Sequence, residues 1–375
     1  MQSLLSPRTL LTRTLAAIAM LLLVMVACSL VGTEPVSIKA ALAGPGPSGS
    51  PSPDYEILLR VRVPRILLAA IVGAALAGAG VVFQAVLRNP LADPYILGVS
   101  SGAGLGAMLA VIGGINWTLW GRSPIAVFAF VGALGTVWLV WAIGRITGRF
   151  HVTGLLLAGV VVNACFSAII MFLTSIAKSQ DVYATVFWLM GNMAEEDAFV
   201  LWASGGCVAA GLVALFFLSP SLNAISFGQT DARSMGIHVE RVQFVALAVS
   251  AFVTAVAVSL SGLIGFVGLI VPHLCRLALG SDHRRLLIVS GFAGAILLQP
   301  RQRGRHRCSH AGTTPRLDRT VQRLRAQQTP RPSAHTRTSN PWLWSSCPVA
   351  DQTSMTQTTR HLSGRSQSRP RRRQT

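Results

Sequence analysis

Charge is what this sequence has least of. Only 12% of its 375 residues are Asp, Glu, Lys or Arg, about half the share usual in soluble domains, which argues against an ordinary water-soluble enzyme. Acids are scarcest, with 13 against 32 basic residues. The resulting +19 points at first to nucleic acid, but the excess is not spread evenly. From Gln299 to Thr375 there are 16 Arg, no Lys and two acids, Asp318 and Asp351, which leaves a net +5 for the first 298 residues. Cysteine pairing is missing too. Cys28, Cys165, Cys207 and Cys275 stand singly inside apolar runs, with no metal-ligand or disulfide spacing, so they read as packing residues and no metal site is expected. Ionisable groups are also scarce deep inside those runs. Carriers driven by protons or sodium ions usually place such groups at mid-membrane to bind the coupling ion, so their scarcity counts against that class.

What is abundant is apolar sequence, 51% of the chain. Runs long enough to cross a hydrocarbon layer of about 30 Å fall near Leu15–Val31, Ile66–Leu87, Tyr95–Ile115, Pro124–Ile143, Thr153–Ser175, Phe199–Leu218, Val242–Ser261 and Leu263–Leu279. A ninth opens at Leu286 and stops at Leu298. The runs are apolar on all sides and carry no polar stripe, as expected where lipid and other helices surround them. The expected fold is all-α, a polytopic transmembrane bundle of eight spans plus a truncated ninth. Met25-Val26-Ala27-Cys28 faintly resembles a lipoprotein processing site, but the spans that follow favour a membrane anchor over a cleaved signal. Gly44 to Pro53 reads as a flexible external loop.

With a cytoplasmic N-terminus, ten arginines fall inside and six basic residues outside, the expected bias. The outside count is raised by one cluster, Arg60-Val61-Arg62-Val63-Pro64-Arg65, which topology alone leaves unexplained.

Small residues dominate the second and third spans, and Gly98, Gly102 and Gly106 fall four apart on one helical face. Close backbone approach explains most of these glycines; the alternative is that some line a conduit. Between the two spans lies Gln84 to Pro94, where Pro90 and Pro94 disfavour helix at Asn89 and Asp93 and predict a tight turn. Asn89 and Asp93 are suited to cap the freed backbone N–H groups. The longest internal loop, Ser219–Arg241, predicts a short helix over Thr230, Asp231, Ala232, Arg233, Ser234 and Met235, stopped by Gly236. Gly228, Ala232 and Gly236 are four apart and form a small face for another protein; an amphipathic helix lying on lipid fits equally well. Further on, Gly262, Gly265, Gly268 and Pro272 mark a bend or close crossing at the start of a span. His273 reads as a hydrogen-bonded structural residue before a ligand or proton relay.

Taken together and in order, Arg62-Val63-Pro64-Arg65, the stretch Gln84–Pro94, Gly98 to Ala103, the Gly228–Gly236 loop and Gly265 to His273 closely resemble the FecCD-type permeases of bacterial ABC importers for ferric siderophores, haem and cobalamin. The resemblance runs from about Leu15 to Leu298. It implies an all-helical permease of about ten spans, paired with a second permease subunit, two cytoplasmic ATPase subunits and an external binding protein in the cytoplasmic membrane. The subunit would bind no cofactor itself; ATP and Mg would sit on the ATPase. Arg62 and Arg65 become candidates for docking the binding protein, and residues Gly228–Gly236 the coupling segment. Gln84, Asn89, Pro90, Gly98, Gly102, Gly265, Gly268, Pro272 and His273 remain pore or packing candidates. An ATP-independent channel or carrier is the alternative class. A nucleic-acid partner would rest on the tail alone and leave the spans unexplained.

The tail departs from the resemblance. After Leu298 there is no Ile, Phe, Tyr, Lys or Glu, and 15 hydrophobic residues in the last 77 are too few for a core. The ninth run, at about 20 Å of helix, is too short to span unaided. Residues 1–298 therefore read as the permease body and 299–375 as a basic disordered tail, either from a reading-frame change near codon 299 or as an arm for anionic partners. If the tail is a real part of the protein, the last spans are missing, and poor assembly and little or no transport are expected.

Overall fold

Proline at the first helical position suits the start of a helix, because its missing N–H would have no partner there, and two long helices open this way. They are α1 (Pro7–Leu30) and α5 (Pro124–Ile146) in the computed structural model, which describes residues 7–30, 53–115, 123–146, 152–191, 193 and 197–310. After α1 the chain re-enters as α2 (Pro53–Glu56) and a π-helical turn, Ile57–Arg62, that runs without a break into α3 (Val63–Val86). A 3-10 turn (Pro94–Leu97) precedes α4 (Val99–Ile112). Then come α5, α6 (Val152–Ile176), α7 (Ser179–Leu189), α8 (Ala198–Phe227), the six-residue α9 (Gln229–Ser234), α10 (Val239–Ser261), α11 (Val267–Leu279) and α12 (His283–His310). No strand occurs among the described residues.

The spans expected at Tyr95–Ile115 and Leu263–Leu279 are corrected to shorter helices, α4 entered through a 3-10 turn and the left-handed Gly98, α11 through non-helical backbone at residues 262–266. At about 1.5 Å per residue, α4 and α11 reach only about 20 Å. Among the described residues, five helices are long and apolar enough to cross a membrane on their own: Ile57–Val86, Pro124–Gly144, Gly154–Ile176, Ala198–Phe227 and Val239–Ser261. Helix α7 was not expected. Its apolar stretch after Asp181 is too short to mark a span, and Asp181 in its first turn is the available start signal.

The bundle is built around α3 and α10. Their apolar windows are 78% and 72% buried, against 28% for α5, 22% for α6 and 33% for α8. Helix α3 packs against α8, α10, α11 and α12, and α1 lies against α12. Glycine makes the closest crossings possible. A Cβ on Gly73 would strike the carbonyl of Gly294, and one on Gly294 the carbonyl of Gly73, so α3 and α12 meet backbone to backbone. Gly102 and Gly132 do the same for α4 and α5. Where lipid supplies no hydrophobic drive, such seams hold helices through dispersion contacts.

Helix α12 continues through the first residues of the basic tail to His310. Gln299 is buried, and its Nε2 donates to the Ile66 carbonyl at 3.0 Å. Residues 311–375 of the expected tail, and residues 44–52 of the Gly/Pro loop, lie outside the described residues.

Candidate functional site

The end of α8 and the segment after it form the most exposed polar element of the body. Residue Gly228 leads into α9, and Gly236 stops it with a left-handed backbone, φ +78°. Two bonds close the stop: Gly236 N–H to the Arg233 carbonyl and Ile237 N–H to the Ala232 carbonyl, both 3.0 Å. Ile225, Ala232 and Val239 are buried together beneath it. The face turned away from the bundle carries Thr230, Asp231, Arg233, Ser234, Met235 and Gly236, all exposed. The short helix is where the sequence put it, shifted by one residue. The face is not: Ala232 points into its own subunit, so the stripe of Gly228, Ala232 and Gly236 is not the outward surface. Arg233 pairs with Glu240 at 3.4 Å, and both are exposed, a pair of little energetic weight.

The turn after α3 is built as the prolines predict. The Asn89 N–H reaches the Gln84 carbonyl and the Arg88 N–H that of Ala85, the pairing that usually ends on glycine. Here the left-handed residue is Arg88, φ +50°. The Asn89 side chain accepts from Leu91 N–H, and the Asp93 carboxylate accepts from Tyr95 N–H at 2.9 Å, capping the 3-10 turn. Burial raises the Asp93 carboxyl above its ordinary 3.8, and the Tyr95 bond acts in the opposite direction. Asn89 and Pro90 are exposed. Gly98 and Gly102 face Thr136, and Gly102 also faces Gly132, so α5 fills the groove beside them.

The second break lies between α10 and α11, and the two breaks meet. The Tyr95 hydroxyl donates to the Ile264 carbonyl at 3.0 Å and accepts from the Ile264 N–H at 3.2 Å. Gly262 and Phe266, which flank that residue, have φ +66° and +70°. One phenol thus satisfies both backbone groups of a non-helical residue, as is required wherever water is excluded. Gln84 Nε2 donates to the Leu269 carbonyl at 3.0 Å and ties α3 to the first turn of α11. Gly268 is buried against Pro94 and the Leu76 carbonyl. Pro272 is buried, and nothing lies within 4 Å of a Cβ built on Gly265. His273 is half-buried, and its Nδ1 has no hydrogen-bond partner among the described residues.

The arginine cluster divides by role. Arg60 is 75% exposed and lies 3.6 Å from Glu56, one turn earlier. Arg62 Nη1 donates to the Ser29 carbonyl at 2.9 Å, so it joins α1 to the head of α3. Arg65 is half-buried. The outward arginine is therefore Arg60, which the sequence reading placed in the cluster but did not select. No group of metal-ligating side chains occurs among the described residues. An apolar cleft of about 210 Å³ between α5, α6 and α10 is lined by Leu97, Trp138, Trp141, Leu155, Phe244 and Leu247, among others. Its lining is almost wholly apolar and carries no charged side chain.

Long apolar helices packed around α3 and α10, with two shorter helices entered through breaks and a short exposed helix, make a multi-pass helical membrane bundle. The chain belongs to the FecCD transport family, whose profile matches residues 15–299. It is 40% identical over 264 residues to the cobalamin import system permease protein BtuC of Halobacterium salinarum, covering 70% of each chain. It is 36% identical to the hemin transport system permease protein HmuU of Yersinia pestis, over 65% of this chain and 73% of that one. A solved structure of a metal-chelate type ABC transporter in an inward-facing conformation superposes with a TM-score of 0.68 at 29% identity, covering 77% of this chain and 88% of that one. The chain is an ABC importer permease, a multi-pass membrane protein.

Proposed function

We propose that this permease moves an iron-siderophore-type metal chelate inward across the cytoplasmic membrane, driven by ATP hydrolysed on separate cytoplasmic subunits. The observation that carries the reading is α9, a short helix seated on a buried Ile225–Ala232–Val239 base with its polar face outward. A rigid exposed element of this kind suits contact with a motor. The scarcity of ionisable side chains inside the spans leaves an ion-coupled route without a binding site. Relatives named for cobalamin and hemin support a bulky chelate as cargo, as does one named for a siderophore.

In this reading the N-terminus and α9 face the cytoplasm, and the Arg60–Arg65 cluster faces outward. There it receives an acidic binding protein, for which exposed charge sets register and association rate more than affinity. A second permease subunit completes the pathway, surrounded by lipid. ATP and Mg belong to the ATPase subunits, and this chain holds no cofactor of its own.

The test is uptake into vesicles holding the full chain with and without its ATPase, using ferric siderophore, haem and cobalamin as cargo. ATP-dependent entry of a ferric siderophore, with co-purification of the ATPase, is the expected result. Entry at the same rate without nucleotide would refute it.

A further inference from the structure

The last turns of α8 are held from two sides by bonds that neither the exposed face nor the turn after α3 requires. Pro220 lies inside α8 and has no N–H to give the Phe216 carbonyl, so the helix is weakened there. Beyond it, Arg88 Nη2 donates to the Ile225 carbonyl at 2.8 Å, tying the end of α8 to the end of α3. On the other side, Asn223 Nδ2 donates to Asp282 Oδ1 at 2.9 Å, and Asn223 Oδ1 accepts from His283 N–H at 2.9 Å. The His283 Nδ1 lies 2.6 Å from the same oxygen. Asp282 also accepts from Arg284 N–H at 3.1 Å, so Asn223 is built into the cap of α12. Arg88 carries the left-handed backbone that favours glycine. A side chain is kept where its absence would relax the turn, and that side chain is the one that reaches α8.

We infer that Arg88 and Asn223 are positioning residues that bind the end of α8 and α9 to the ends of α3 and α12. A displacement of α9 then passes to both helices and is not absorbed at Pro220. This rests on the reading of α9 as the contact for the ATPase.

The test is hydrogen exchange on the full chain in detergent micelles. Arg88→Gly suits the backbone at that position, so its melting midpoint is expected to stay level or rise. Exchange over residues 221–237 is expected to become about tenfold faster, the factor for losing one hydrogen bond to a charged group; Arg88→Lys, which keeps a donor, recovers part of the protection. Unchanged exchange in Arg88→Gly, or faster exchange spread over the whole chain with a lowered midpoint, would overturn the inference. A second arm adds the ATPase with ATP and vanadate. In the parent, protection is expected to change at residues 82–92 and 283–290. Arg88→Gly loses the first change and keeps the second, and Asn223→Ala does the reverse. Undiminished changes in both variants would sink the relay. A parent chain that captures no ATPase would instead remove the proposed function, and the exchange of the chain alone would still decide whether the tether exists.

Discussion

Replacing Gly80 with alanine is expected to be among the most damaging small changes in the molecule. Its Cβ would lie 2.7 Å from the carbonyl carbon of Gly268 and 2.8 Å from its Cα, and closer still to the oxygen. All three obstacles are backbone, so no rotamer change relieves them. Carbon contacts settle near 3.5–4.0 Å, so α3 and α11 must part by about 1 Å. Four residues on, Gln84 Nε2 reaches the Leu269 carbonyl at 3.0 Å. The same separation stretches that bond to about 4 Å, beyond hydrogen-bond range. Gln84 is 1% exposed and its Oε1 already lacks a partner among the described residues. Overpacking costs about 1–3 kcal/mol and an orphaned buried donor about 1–3 more, so the loss should be about 2–6 kcal/mol. Denaturant titration in mixed micelles measures it. Gly135→Ala and Gly206→Ala are the controls, because nothing lies within 4 Å of their Cβ positions; each should be neutral or stabilise by up to about 1 kcal/mol. If Gly80→Ala behaves like these controls, the backbone seam between α3 and α11 is wrong.

Three further outcomes are expected. Tyr95→Phe leaves the N–H and carbonyl of Ile264 without their hydroxyl partner and should cost about 1–3 kcal/mol in the same titration; a loss within error would mean another group takes the place of the phenol. Because burial raises the Asp93 carboxyl, the folded chain holds that proton more tightly than the unfolded one. The stability this gives is fully present below the unfolded value and is lost as pH rises through the folded value. Asp93→Asn keeps the acceptor for Tyr95 N–H, so its melting curves should lack that loss of stability as pH rises above the ordinary carboxylate value and match or exceed the parent at neutral pH. A Cβ at Gly236 meets no neighbour within 4 Å, but Gly236→Val must adopt φ +78°. It should cost about 1–2 kcal/mol and lower the cargo moved per ATP by shifting α9, while an unchanged ratio would remove α9 from the coupling.

Much of this architecture was legible in the chain because lipid-embedded helices are marked by run length, and turns by proline and glycine. The stop at Gly236 and the caps at Asn89 and Asp93 follow from local chemistry and were readable for that reason. The shortening of two spans was not. Ile264 sits in a stretch as apolar as any helix, and what satisfies its backbone outside helical geometry is the Tyr95 hydroxyl, 169 residues away in sequence. The inward turn of Ala232 escaped notice because spacing gives a stripe but not its direction. The choice between Arg60 and Arg62 depended on where α1 ends, and the link from Arg88 to Ile225 joins residues 137 apart. Such pairings leave no periodic trace.

The enclosure of α3 and α10 within a looser ring governs how this gene can drift. A side chain that meets only acyl tails needs to be oily and little else, so Leu157, Val160 and Phe172, all more than half exposed on α6, should accept almost any apolar exchange in a saturation library. Positions on the enclosed pair have no such freedom, because each is shaped by opposing backbone. Over long divergence the outer ring will scramble first, and the kinship of remote relatives will be read last from the axle they turn around.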